Sequence, residues 1–283
     1  MKGFTKVLLN LLTVIFAVVF LVCAFLLGRY FLESHKQGQK YADLASQVAQ
    51  VQQDDVPAVT IQIPHRKPAK EENQEDTATD PDATEPEQEE SATILPEYTP
   101  IYLQNADLIG WIQIEDTKIN YPVMQTPDRE NFYLHRNFYG EYSSQGALYV
   151  DEDCDPFLPS DNLIIYGHHM KDGSMFSGLD AYEKKEFWET HRQFRFDTLT
   201  EHHTYEIFAV FITSAISGQG LPYHNFIDAA NEQEFDDFVA ACKDLSFYDT
   251  GITPEYGDKL VCLSTCEYTL LNGRLVVVGR RIS

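Results

Sequence analysis

The chain has few devices that staple a fold from outside. Its five cysteines, Cys23, Cys154, Cys242, Cys262 and Cys266, are an odd count, and Cys23 sits in an apolar run apart from the others. Disulfide frameworks belong to small domains that cannot bury enough apolar surface, and a 283-residue chain is long enough to fold without one. Cys262 and Cys266 stand four apart in an apparent strand, roughly 13 Å when extended, beyond disulfide reach without a bend. No second close Cys or His pair stands at zinc-ligand spacing, so no metal site and no cofactor are expected. Positive charge is scarce too: 21 Lys and Arg face 44 Asp and Glu, a net charge of −23. There is no basic stripe, which excludes nucleic acid as a partner.

The acidic excess is concentrated. From Glu71 to Glu90 there are ten acids and no base, which leaves −13 for the rest of the chain, an ordinary acidic surface. That stretch lies inside a longer one, residues 57–93, made of Pro, Thr, Gln and acids with almost no large apolar residue after Ile63. Such a composition buries too little to offset the entropy of ordering, so it reads as a disordered, self-repelling tether.

Only one long hydrophobic run is present, Val7 to Leu27, in which Asn10 and Thr13 are the sole polar residues. As a helix it has the length of a bilayer core. A cleaved signal peptide is the rival reading, but the run is long for a signal and Gly28-Arg-Tyr-Phe-Leu-Glu33 offers no small-x-small cleavage site. Val22 likewise fills the place before Cys23 where a lipoprotein signal needs a small residue. Lys2 and Lys6 favour a cytoplasmic amino terminus, although Arg29, Lys36 and Lys40 weaken the asymmetry. The expected organisation is a cytoplasmic start (1–6), a single-pass membrane anchor (7–28), a helix-compatible stalk (29–56), the acidic linker (57–93) and an extracellular folded domain (94–283).

Within that domain, apolar alternation and turn residues describe about eight strands: 107–114, 118–124, 146–151, 162–167, 194–198, 204–212, 259–263 and 274–282. Pro122 argues for an edge or a bulge in the second. Short helices are expected at 98–105 and 173–192, and an amphipathic one at 231–247 with Phe235, Phe238, Val239, Cys242 and Leu245 inward. Many short strands with few helices make the fold class mainly β, a barrel or sandwich with helical insertions.

Chemistry concentrates near the end of the chain. Two apolar β segments flank Ser264, Thr265, Cys266 and Glu267, a turn at Asn272-Gly273, and Arg274. A thiol beside a guanidinium suits a cysteine nucleophile, which then needs a base from elsewhere. Of nine histidines, His168 and His169 stand out because they follow the apolar strand Leu163-Ile-Ile-Tyr166 through Gly167. A glycine there permits an unusual backbone angle or a close approach, either of which aims the next side chain.

The segments Leu263-Ser-Thr-Cys266-Glu-Tyr, Asn162-Leu-Ile-Ile-Tyr-Gly-His-His-Met and Arg274-Leu-Val-Val-Val-Gly resemble the signature segments of sortases. Gly110-Trp-Ile, Asn131-Phe-Tyr-Leu134 and Ser144-Gln-Gly-Ala-Leu-Tyr-Val-Asp151 point within that family to class B. The likeness runs from about Leu95 to Ile282 in order, and the long acidic tether departs from it. It implies an eight-stranded sortase β-barrel and a membrane-anchored cysteine transpeptidase of a Gram-positive surface. By that likeness His168, Cys266 and Arg274 are catalytic, His168 being preferred to His169 because the family's histidine directly follows the glycine. Ser264 and Thr265 would shape the substrate pocket, with core packing as their alternative, and the Glu267 N–H is a candidate oxyanion donor. The implied partners are secreted proteins bearing a carboxy-terminal sorting signal, cut after threonine, and an amine of peptidoglycan or its precursor. Pilin polymerisation, or an endopeptidase in which hydrolysis dominates, is the alternative.

Overall fold

The computed structural model describes residues 2–51, 57–62, 91–157 and 160–283. Most of the stretch read as an acidic tether therefore lies outside the described residues. The chain divides into two compact units, residues 1–43 and 44–283. Helix α1 (Lys2–Gln50) begins in the first, where its apolar side chains from Leu9 to Leu32 stand open. It is long and apolar enough to cross a membrane.

The second unit is built on a closed eight-stranded barrel. A two-stranded antiparallel pair, β1 (Thr60–Gln62) with β2 (Ser91–Thr93), and the short helix α2 (Thr99–Tyr102) come before it. The barrel strands are β3 (Leu108–Gln113), β4 (Asn120–Met124), β5 (Leu148–Val150), β6 (Asn162–Tyr166), β7 (Gln193–Thr198), β8 (Thr204–Ser214), β9 (Leu260–Glu267) and β10 (Gly273–Arg281). Around the barrel they run β10, β8, β7, β3, β4, β5, β6, β9, and β9 closes on β10. The β4–β5 and β6–β9 pairs are parallel and the others antiparallel. Closure leaves no free edge. Pro122 is tolerated because the β4–β5 pairing starts only at Val123, and the β3–β4 register shifts between Leu108 and Gly110.

β10 carries four consecutive fully buried residues, Leu275 to Val278, so both of its faces are covered. Helix α4 (Glu232–Leu245) packs on β8 and buries Phe235, Phe238, Val239 and Cys242. Its amino end is capped twice, by the Asn231 side chain accepting from the Glu234 N–H and by the Glu234 carboxylate accepting from the Ala230 N–H. Leu245, expected inward, is exposed, because the helix stops there and the chain turns at Ser246. The helix expected over 173–192 is instead a 3₁₀ stretch, Phe176–Glu183, followed by α3 (Lys185–Thr190). Positive φ at Gly173 and Met175 delays its start and extended Lys184 interrupts it. Met175, Phe176, Leu179 and Tyr182 are nonetheless core, as the apolar spacing predicts.

Candidate active site

β9 and β10 are adjacent, and their register sets Arg274 directly opposite Cys266. Directly opposed residues of an antiparallel pair project to the same face, so thiol and guanidinium emerge side by side. β6 runs parallel to β9 with Tyr166 opposite Ser264, and the Gly167 N–H donates to the Ser264 carbonyl at 3.0 Å. The β6 strand thus ends beside the cysteine strand, and His168 is the next residue. Cys266, His168 and Arg274 line one cavity of about 330 Å³, with Asn131, Tyr149 and Tyr223 among its walls.

Gly167 is demanded by close packing. A Cβ there would lie 2.6 Å from the Phe176 ring, while its φ is not in the left-handed region. Of the two roles expected for this glycine, close approach is the one found.

His168 places Nε2 at 2.7 Å from the Leu134 carbonyl oxygen. A carbonyl only accepts, so Nε2 carries a proton and donates, leaving Nδ1 as the atom that takes or releases one. Burial lowers the imidazole's pKa, the Leu134 carbonyl opposes that shift, and the neighbouring His135 adds to it. The His135 ring stacks on His168 with centroids 5.6 Å apart and planes at 19°. His169 is differently occupied. Its Nε2 is 2.7 Å from the Asp180 carboxylate and its ring meets Tyr268 edge-on, outside the cavity lining. The structure therefore brings His168, not His169, to the thiol's cavity.

Arg274 is half-buried and its Nη1 donates to the carbonyls of Gly273 at 2.9 Å and Asn272 at 3.4 Å. Among the described residues no carboxylate pairs with it. The turn expected at Asn272-Gly273 is a five-residue connection, Tyr268 to Asn272, with Asn272 left-handed and Gly273 already in β10 opposite Glu267. The Glu267 side chain caps this connection, accepting from the Thr269 N–H at 2.7 Å, the Thr269 hydroxyl at 2.8 Å and the Leu270 N–H at 3.3 Å. Its carboxylate is engaged in the loop, and Glu267 is not among the residues that line the cavity.

Ser264 and Thr265 are both buried. Ser264 Oγ shares a 2.6 Å hydrogen bond with Tyr223 Oη, and burial pushes the Tyr223 hydroxyl up to about 12 while Ser264 pulls the other way. Thr265 Oγ1 has no hydrogen-bond partner among the described residues. Tyr149 donates to Asn131 Oδ1 at 3.0 Å, burial raising its own hydroxyl pKa. Sequence reasoning did not single out Tyr223, Tyr149, His135 or the Leu134 carbonyl. Two of the class B segments contain Leu134 and Tyr149, whereas Tyr223 sits in an aperiodic connection between β8 and α4. Among the described residues no group of three or more His, Cys, Asp or Glu side chains is placed to hold a metal ion.

Comparison with known proteins follows the same outline. The Sortase domain family matches residues 112–282. Sortase B of Listeria monocytogenes is 34% identical over 182 residues, covering 63% of this chain and 71% of its own length. The crystal structure of a Bacillus anthracis sortase B in complex with AAEK1 superposes with a TM-score of 0.66 at 26% identity, over 89% of this chain and 99% of that one. A Staphylococcus aureus sortase B-substrate complex gives 0.61 at 29% identity, over 67% and 86%. In sequence and in backbone the chain thus agrees with these relatives, and it belongs to the sortase family, as a class B cysteine transpeptidase.

Proposed function

We propose that Cys266 is the nucleophile, His168 the general acid and base, and Arg274 the substrate and oxyanion ligand of this transpeptidase. The observation that carries the reading is that these three side chains line one cavity, with Cys266 and Arg274 in direct cross-strand register. The Cys266 thiolate adds to the carbonyl carbon of the scissile amide. As the tetrahedral adduct collapses, the C–N bond breaks and His168 Nδ1 gives its proton to the departing amine. A thioester on Cys266 remains. An incoming amine then attacks that carbonyl, returns a proton to Nδ1, and displaces the thiolate as the new amide forms. Arg274 is permanently charged, so it serves as a ligand and not as a base. Its guanidinium and the Glu267 N–H are the donors assigned to the oxyanion, with Ser264 and Thr265 shaping the pocket floor.

Burial disfavours the His168 cation, which holds down the imidazolium form that proton donation to the leaving amine requires. The acyl donor in this reading is a secreted protein's carboxy-terminal sorting pentapeptide, cut after its threonine. The relative crystallised as a substrate complex supports binding of a substrate by this fold. The acceptor is an amine of peptidoglycan or its precursor. Residues 7–28 anchor the enzyme in one pass with the amino terminus inside. The catalytic domain, 94–283, works outside, and of the stretch 57–93 read as its tether, residues 60–62 and 91–93 pair as β1 and β2. Anchoring donor, acceptor and enzyme on one membrane face raises their effective concentration.

The test is full-length protein in detergent with a sorting-type peptide, with and without an added amine. Intact-mass spectrometry is expected to show a thioester on Cys266 and an amide adduct only when amine is present. Product that is free acid under every amine concentration would overturn transfer.

A further inference from the structure

The 3₁₀ turn Phe132–His135 touches the His168 ring twice, through adjacent residues. Leu134 meets the ring edge with its carbonyl, and His135 covers the ring face. The turn is firmly seated. Its backbone accepts from the Ser143 N–H at His135 and from the Ala147 N–H at Tyr133, and Tyr133 is buried with its hydroxyl on Asp107 at 2.7 Å. Gly146, at φ +61°, lies so close that a Cβ there would come within 2.6 Å of the Leu134 carbonyl oxygen. The Tyr142 ring is tilted at 38° to His135 with its centroid 6.5 Å away, and His135 is solvent-exposed.

Imidazole is the side chain whose ordinary charge change falls between about pH 5 and pH 8, and two imidazolium cations stacked so close would repel. At a 5.6 Å separation in a half-solvated setting, Coulomb repulsion shifts one protonation equilibrium by about three- to tenfold when the other ring is charged. The other charged groups do not cancel this. Arg136, from the same turn, is turned to the Gly140 carbonyl and the Phe132 ring. Cys266 and Arg274 face His168 across the cavity, and Glu130 and Glu152 lie on its acidic wall. Among the described residues neither ring has a carboxylate partner.

We propose that His135 is a positioning residue for His168, holding the ring in place and, through its own charge, deciding whether that ring can carry the proton the leaving amine needs. The inference rests on His168 being the general acid. A neutral His135 permits the His168 imidazolium and a protonated one opposes it, so the enzyme is throttled as its surroundings turn mildly acidic.

The test compares full-length native protein with His135→Phe, which keeps a flat ring without charge, and His135→Lys, which carries a permanent charge. The readout is the ratio of variant to native kcat/KM for amide transfer across pH. His135→Phe is expected to gain about three- to tenfold on the native enzyme between about pH 8 and pH 5.5, and His135→Lys to lose a similar factor at about pH 8 and recover toward native in acid. A purely structural role moves both ratios in one direction at every pH, and ratios that stay constant with pH would overturn the proposal. In a Cys266→Ala background, where no turnover occurs, the imidazole NMR titration of His168 is expected to shift upward on adding His135→Phe. No shift would equally sink the coupling. Transfer surviving in a His168→Ala enzyme would instead overturn the general-acid reading, while the NMR titration still reports on the ring pair by itself.

Discussion

Two polar clusters in the second unit are built to opposite ends. Around Asp197 on β7, a carboxylate only 1% exposed accepts from Tyr98 Oη at 2.6 Å, Arg195 at 2.6 Å, His202 at 2.9 Å and the His203 N–H at 3.1 Å. Burial by itself would raise this carboxyl's pKa, but the donors from Tyr98, Arg195 and His202 outweigh it and hold the group below its ordinary value. Both carboxylate oxygens meet donors, three on Oδ2 and one on Oδ1, and such a cluster fixes geometry. Around Cys266 the opposite holds: Arg274 reaches only carbonyls of its own turn, His168 uses one ring nitrogen, and Thr265 Oγ1 is unpartnered among the described residues. Hydrogen-bonding capacity left open inside a cavity is capacity available to a substrate.

Breaking each cluster should therefore read out differently. Cys266→Ala is expected to abolish acyl transfer, by at least about a thousandfold in kcat, with the melting temperature unchanged, because no remaining group can form the thioester. Adduct formation and thermal melting on the same sample check it. Asp197→Ala should do the reverse, destabilising by about 3–5 kcal/mol through the donors left unpaired while sparing kcat of the folded fraction. The sign of its pH dependence follows from the lowered carboxyl. The stability it contributes is fully present above the unfolded value of about 3.9 and is lost as pH falls through the folded pKa, so the native–variant gap in urea unfolding should close only in acid. Arg274→Lys retains the charge and loses the planar fork, for an expected drop of about 10²–10³ in kcat/KM, since an ammonium cannot donate in the same two directions. A drop of less than about threefold would make Arg274 a generic cation. Tyr223→Phe sharpens the comparison at its smallest scale. Removing the hydroxyl from a buried 2.6 Å bond should cost about 1 kcal/mol of stability, and steady-state kinetics should show any loss in KM before kcat if Ser264 shapes the pocket.

Much of this architecture was legible before any coordinates. Runs of apolar β-formers bounded by turn residues located all eight barrel strands to within a few residues, because such runs are a local property of the sequence. That Cys266 and Arg274 lie on neighbouring strands was legible too, since strands joined by a short connection pair with each other, but their direct register was not, because a two-residue Asn272-Gly273 turn would set Leu271 opposite Arg274. The Asn272-Gly273 signal misled in detail, as the Glu267 carboxylate stabilises a longer connection that a two-residue turn rule does not anticipate. The 3₁₀ stretch at Phe176–Glu183 was read as α-helix because apolar spacing looks alike in both, while the positive φ values that set it apart are backbone features.

From the sequence alone came the apolar run able to cross a membrane, the acidic stretch, the mainly β fold and the strand that carries the thiol. All of these follow from composition or from neighbours within a few residues. The family resemblance picks His168 over His169, and the tertiary structure supplies the physical reason. The parallel β6–β9 pair brings His168 to the cavity, and His169 turns to Asp180. Only the tertiary structure decided that the Leu134 carbonyl holds His168 and that His135 lies on its face. A carbonyl is present in every residue and a stacked ring comes from about 30 positions away. Neither leaves a local mark, and both exist only once the barrel has brought distant strands together.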